Sequence, residues 1–518
     1  MIQVLLWLPL AAGLACLLIP RRYVGWWALS ASIVTLGVAI YLVADFVPGV
    51  ASVQHVVDES WIPGLGVRYQ LGVDGLSIFL VLLTTIGWAA ATAFSVLRSP
   101  KRPQLYFLMF GVGQTATLGA FLAQDLLLFV LFFDLMLIPF FMLIGVWGKG
   151  DRIAATIKMI VYTLIGSLLM LVGAIATAVL ASDQIGEISF SIAELQSNVL
   201  TEGSQDWIFW FFAAAFLVKM PAFLVHGWMS DAYRAAPLAV LALLSGVLSK
   251  VGAYGFLKIV LPLYPDAAIQ FQDILLVIGV ASILYGSAMA FTQTNVRLIA
   301  GYSSIAQLGF ITIGIFALQS VGADGSVLQM VNHGLVVVPI FIIIALLAER
   351  SGTEDLREMG GLAFRAPILA VMFLIVTMAT LAIPGSANFI GEFYILNGVF
   401  QSEIVFALIA VIGVAGAAFY ALRLYQRTMH NRLPEGMESR EISLRDGLIL
   451  GPLVACIVAV ALYPGFVLDR TDASAASSVA SVCVDSDTRV QLAESGDSID
   501  CSDGEAPDTT AAVGGGGD

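Results

Sequence analysis

Three observations predict an all-α integral membrane protein with about 14 transmembrane helices. Apolar residues fill 59% of the 518 positions and only 12% are charged, where a soluble chain of this size carries roughly a quarter. Mean hydropathy is +0.93. The apolar residues also gather into runs of about 20, the length that crosses a bilayer as a helix. The 49 glycines and 18 prolines fit this class, because membrane helices tolerate both where neighbours satisfy the freed backbone groups. A soluble enzyme, a nucleic-acid binder and an outer-membrane barrel of alternating strands are excluded.

The runs fall near 1–20, 24–44, 75–97, 104–123, 125–147, 155–181, 206–227, 237–261, 271–292, 298–318, 326–348, 366–400, 404–424 and 446–468. The first has no basic start and is followed by Arg21 and Arg22, so it reads as a helix and not as a cleaved signal. The run 366–400 is too long for one straight helix, and Pro384-Gly385 predicts a break in its middle. It counts once. This divides the chain into three N-terminal helices (1–103), a five-helix unit at 104–261, a second at 271–430, a last helix at 446–468 and a tail at 469–518.

The net charge of −13 resides mostly in that tail, which holds eleven acids against two arginines. It has no aromatic residue and too little apolar surface to offset its ordering entropy, so disorder is expected. Six lysines against eighteen arginines, with the acidic tail, suggest adaptation to a salty medium. Cys16 and Cys456 lie in apolar runs as core residues, and Cys483 and Cys501 lie in the tail.

Orientation follows from the loop bases, which stay on the cytoplasmic side. With both termini external, eighteen Lys and Arg fall on the cytoplasmic side, and only Arg68, Arg470 and Arg489 fall outside. The protein is thus expected in a plasma (inner) membrane as a multi-pass chain.

Three bases remain within apolar runs: Lys219, Lys250 and Lys258. Lys258 is near enough to the outer helix end to snorkel. Lys250 lies about thirteen residues into its span, roughly 19 Å at the helical rise, and Lys219 lies at a similar depth. Asp134 and Glu392 are acids in comparable positions. Each such group costs about 2.5–3.5 kcal/mol to insert. Structural ion pairs are one explanation; a chain of proton or ion sites is the better one, since a buried pair rarely stabilises more than apolar residues would. Lys219 precedes Met220-Pro221 and Glu392 follows Pro384, five spans apart. A charge beside a proline at matching places predicts two inverted five-helix repeats with discontinuous helices. His333, in a span that also holds Pro339, can take and give a proton between the two halves. No Gly-x-Gly-x-x-Gly after a strand, Walker loop, metal-ligand cluster or Cys-x-x-Cys occurs, so electrons and nucleotides are handled elsewhere.

The stretch FLVKMPAFLVHGWMSDAYRAAPLAVLALLSGVLSKVGAYGF resembles the signature of the antiporter-like subunits of respiratory complex I, a family shared with multisubunit cation/proton antiporters. VRLIAGYSSIAQLGFITIGIF, VNHGLVVVPIFIIIALLAERSGTEDLREMGGLA and LAIPGSANFIGEFYILNGVF are similar to the same family, and the likeness runs from about residue 70 to 430. It implies a fourteen-helix proton-translocating subunit of an NADH-quinone oxidoreductase, driven by quinone reduction elsewhere in the complex. Asp134 would pair with Lys219, Lys250 would be the central relay, His333 a further relay and Glu392 the terminal group. No cofactor is expected in this chain; quinone, iron–sulfur clusters and flavin belong to partner subunits. The partners implied are other membrane subunits, especially antiporter-like ones. Asp134 stands where the family usually has glutamate, and Gln307 where histidine is frequent. The shorter carboxylate lies about 1.5 Å further back, which calls for a water in its contact with Lys219. Rival readings are a stand-alone sodium/proton antiporter, a small-solute transporter and a structural scaffold. Copurifying redox subunits, a polar midplane pocket, and assembly defects on neutralising Lys219 would discriminate among them.

Overall fold

The computed structural model of the chain describes residues 1–198, 200–434 and 440–483, which are mostly helical. Among them, 11 helices are long and apolar enough to cross a bilayer: Arg21–Asp45, Ile78–Arg98, Pro103–Leu122, Leu126–Trp147, Arg152–Ile185, Leu238–Leu263, Gln272–Thr292, Val296–Phe316, Ser320–Ser351, Ile404–Met429 and Leu444–Leu462. Each grows from one of the apolar runs. The other three runs are shorter or broken. Run 1–20 forms Ile2–Ala15, 206–227 ends its helix Glu202–Lys219 at the charge, and 366–400 splits into Pro367–Thr380 and Ala387–Ser402.

Irregular backbone at membrane depth survives only where protein groups satisfy it. In the first break the Phe223 N–H donates to Ser282 Oγ at 2.9 Å, and the Trp228 indole donates to the Val218 carbonyl at 3.1 Å. In the second, Gly385 takes a φ of +93° that side chains rarely adopt. Ser386 then caps the next helix by accepting from the Phe389 N–H at 3.4 Å.

Three helices occupy the centre. The apolar windows of Leu238–Leu263, Val296–Phe316 and Ser320–Ser351 are entirely buried by protein, so polar residues on them never meet lipid. Ile404–Met429 lies outside them and shows Leu408, Ile412 and Phe419 to the exterior. Small residues let the central backbones approach, as association within lipid requires. A Cβ on Gly334 would stand 2.7 Å from the Gly246 carbonyl oxygen. That contact sets Ser320–Ser351 against Leu238–Leu263 beside His333 and Lys250. Leu238–Leu263 also contains two π turns, Leu244–Leu248 and Phe256–Val260, a distortion that often accompanies functional sites.

Connections 98–102, 147–152, 235–237, 293–297, 349–358 and 440–446 meet at one end of the bundle. There Arg98 pairs with Glu349 at 2.5 Å and Asp446 at 3.1 Å, and Arg297 with Glu354 at 2.7 Å. The opposite end carries two elements that the apolar runs do not announce. An antiparallel hairpin pairs β1 (Gln54–Ile62) with β2 (Val67–Val73). The second is the helix Gly465–Cys483, which corrects the expectation of disorder from residue 469. Ala475 and Val479 are fully buried and Thr471, Ser474, Ser478 and Val482 share their face, a stripe at helical spacing. Ser474 Oγ also accepts from the Gly75 N–H at 3.0 Å. Small side chains thus supply a packing surface that charge counting overlooks. The rest of the tail, 484–518, lies outside the described residues.

Candidate functional site

Lys219 ends its helix at the first break and is buried, with Nζ 4.5 Å from the Phe133 ring centroid. Asp134 on Leu126–Trp147 is half-buried beside Ser167, and its Oδ1 has no partner. The two charges form no ion pair within 4.0 Å. The direct pairing implied by the resemblance is therefore not made, as the shorter aspartate side chain anticipates. A cavity of about 20 Å³ borders Lys219, Thr163, Trp228, Leu244 and Leu248, enough for one water. It points from Lys219 toward the π turn that precedes Lys250.

Lys250 has no solvent exposure. Its Nζ donates to the Ser245 carbonyl at 2.8 Å and Ser249 Oγ at 3.2 Å, and lies 2.9 Å from His333 Nδ1. The two residues that the resemblance makes successive relay groups are in direct contact. An ammonium has only donors, so when Lys250 is charged the facing Nδ1 must accept and the imidazole is neutral. Two positive charges at this distance in a dry site would repel strongly. The pair therefore holds at most one excess proton, and His333 Nε2 on the far side of the ring has no partner.

Glu392 Oε1 accepts from Gln307 Nε2 at 2.8 Å, and Gln307 Oε1 accepts from Gln329 Nε2 at 2.7 Å. Gln329 stands one helical turn from His333. Asn332 Nδ2 donates to the Ala387 carbonyl at 2.8 Å and joins the same two helices. Gly391 permits this closeness, since a Cβ there would lie 2.4 Å from Gln329 Oε1. Gln329 Oε1, Asn332 Oδ1, both Asn388 side-chain atoms and the Tyr420 hydroxyl are buried without partners, places where ordered water is expected. The structure thus joins Lys250 to His333 and Glu392 to Gln307, while Asp134 and Lys219 stay apart.

Lys258 departs from expectation. It does not snorkel: Nζ lies 2.7 Å from Asp74 Oδ2, with both side chains buried. Asp74 also accepts from the Ser77 N–H at 2.9 Å. The sequence signal that could have marked it is an acid directly before an apolar run. Gln329, Asn332 and Asn388 escape sequence reading because they carry no charge to single them out within an apolar run.

Buried lysines, a histidine and a glutamate within an apolar helical bundle define a class, the multi-pass membrane subunits that handle ions. Within it, the chain belongs to the NADH:quinone oxidoreductase/Mrp antiporter transmembrane family, which matches residues 123–418. It is 37% identical over 507 residues to NADH-quinone oxidoreductase subunit M of Rhodobacter capsulatus, covering 95% of this chain and 98% of that one. Subunit M of Mycobacterium tuberculosis is 35% identical over 505 residues, covering 90% and 91%. A chain of respiratory complex I from Thermus thermophilus with bound NADH shares the fold at a TM-score of 0.86 and 27% identity, covering 93% of this chain and 100% of that chain. A chain of the Mrp complex from Dietzia sp. DQ12-45-1b does so at 0.81 and 20% identity, covering 95% and 98%.

Proposed function

We propose that this chain is the proton-translocating antiporter-like membrane subunit of a complex I-type NADH:quinone oxidoreductase. The observation that carries the reading is the fully buried contact of 2.9 Å between Lys250 Nζ and His333 Nδ1, in a chain whose relatives are subunit M of that enzyme. A site that holds no more than one excess proton between two bases, away from lipid and solvent, is suited to passing it on.

In this reading Asp134 and Lys219 stabilise each other's charge when close, and their separation frees the Lys219 proton to move toward Lys250. His333 takes it from Lys250 and releases it from Nε2 along Gln329, Gln307 and water to Glu392. The amides cannot titrate, so they hold the water chain and Glu392 accepts the proton. Quinone reduction, with flavin and iron–sulfur clusters, belongs to partner subunits. The fourteen crossings follow if the three short or broken runs also traverse the bilayer, and units 104–261 and 271–430 are then inverted repeats. The end rich in bases faces the cytoplasm and both termini lie outside.

The test uses the intact complex in native vesicles. Lys219→Ala and Lys250→Ala should abolish or strongly slow NADH-driven proton pumping while the complex still assembles. Unchanged pumping in either variant overturns the reading.

A further inference from the structure

Gln329, Gln307 and Glu392 come from three different helices, are buried, and form an unbroken row. Gln329 Nε2 donates to Gln307 Oε1 at 2.7 Å, and Gln307 Nε2 donates to Glu392 Oε1 at 2.8 Å. Chemistry fixes the direction of the row. An ionised carboxylate only accepts, so Gln307 must turn its NH2 to Glu392 and its oxygen to Gln329, which must in turn give its NH2 to Gln307. The row then ends on Gln329 Oε1, a buried acceptor without a partner.

His333 stands four residues further along the same helix as Gln329. Side chains at that spacing share a face and lean toward the helix N-terminus, which tips the imidazole back toward Gln329. With Nδ1 accepting from Lys250, the neutral ring carries its proton on Nε2, and that atom too is buried without a partner. Asn332 Oδ1 and both polar atoms of Asn388, on adjoining turns of the two helices that Gly391 brings together, are unpartnered as well. A donor on His333 thus faces the stretch of helix where the row leaves an acceptor on Gln329. Tyr420 adds a buried hydroxyl beside Glu392 from Ile404–Met429, and a phenol stays protonated near neutral pH.

We infer that Gln307 and Gln329 are positioning residues that act together as a hydrogen-bond switch, coupling His333 to the charge state of Glu392. The inference rests on the proton-relay reading above and gives the two amides a role beyond holding water. While Glu392 is ionised, Gln329 presents an oxygen that accepts from His333 Nε2–H, directly or through one water. That stabilises the protonated ring and helps Nδ1 take the proton from Lys250. The ring then gives up its Nε2 proton, which travels through water to a carboxylate oxygen of Glu392. The new O–H of Glu392 can donate to Gln307 Oε1, so both amides turn over: Gln307 Nε2 donates to Gln329 Oε1, and Gln329 presents its NH2. An NH2 cannot accept, so it opposes a second proton on Nε2 until Glu392 discharges. The row contains two hydrogen bonds in either orientation, and no amide bond forms or breaks.

The test uses the intact complex in native vesicles. Gln307→Met and Gln329→Met keep the length of the side chain without its amide, and each should slow NADH-driven pumping severalfold or more while the complex assembles. A readout that packing alone does not move is the infrared difference spectrum between the resting and the NADH-reduced complex, recorded with glutamine isotopically labelled at its side-chain carbonyl. A labelled amide signal should accompany the carboxyl signal that Glu392→Gln removes, and each methionine variant should remove that amide signal. Normal pumping in either methionine variant overturns the switch if Lys250→Ala still fails to pump. So does a Glu392 carboxyl signal with no amide signal that depends on Gln307 and Gln329. If Lys250→Ala pumps normally, the proton-relay function itself falls.

Discussion

Lys250 and Lys258 lie eight residues apart on one helix and meet different neighbours, a histidine and an aspartate. The Lys258–Asp74 pair is enclosed, so removing one partner strands a buried charge. Asp74→Asn should cost about 3–5 kcal/mol, read as a lower melting temperature of the purified complex, and Asp74→Leu with Lys258→Met should recover most of the loss. Glu392→Gln makes a different prediction. It preserves a hydrogen-bonding partner for Gln307 but removes the titrating group, so pumping should be lost while the assembled complex melts as before. Retained pumping would take Glu392 out of the relay. Lys219, Lys250, Asp134 and Glu392 were legible in the sequence because a charge inside an apolar run stands out. Gln329, Asn332 and Asn388 were not, because an amide matters only when a neighbouring helix turns it toward a proton path.

At the level of elements, the two broken helices were anticipated from proline beside charge, and both breaks are present. The chain could not announce how closely the half-helix Ala387–Ser402 lies against Ser320–Ser351. Gly391 sets that distance. Gly391→Ala should push the helices apart, break the Gln329–Gln307–Glu392 chain and reduce pumping severalfold or more, whereas Gly451→Ala, whose added methyl meets nothing within 4 Å, should pump normally. Equal behaviour of the two variants would remove the argument. The helix Gly465–Cys483 shows the converse limit of sequence reading. Its acids suggested a solvated tail, while its buried stripe of Ala475, Val479 and small hydroxyl residues docks it to the end of the bundle opposite the bases.

Across the whole molecule, Glu354 gathers three connections at the end rich in bases by binding Arg297 and Lys149. Burial pushes its carboxyl up, but the Arg297 hydrogen bond and charge, with Lys149, outweigh that and hold it below its ordinary value of 4.5. A depressed carboxylate contributes stability that is complete above about pH 4.5 and fades as the pH falls through its folded value. The parent complex should therefore lose melting temperature on acidification below that point, and Glu354→Gln should lose less over the same range. Parallel curves would show that the clamp contributes nothing. The sequence by itself determined the lengths of the apolar runs, the clustering of bases in alternate connections, the two breaks and the depths of the buried charges. These are sums over neighbouring residues, and a bilayer reads them locally. Only the tertiary structure decided that Lys250 touches His333, that Lys258 is held by Asp74, and that Asp134 stands clear of Lys219. Those facts depend on how helices distant in the chain are rotated and how closely they pack, and small residues such as Gly246 and Gly334 set that closeness without leaving a mark on hydropathy.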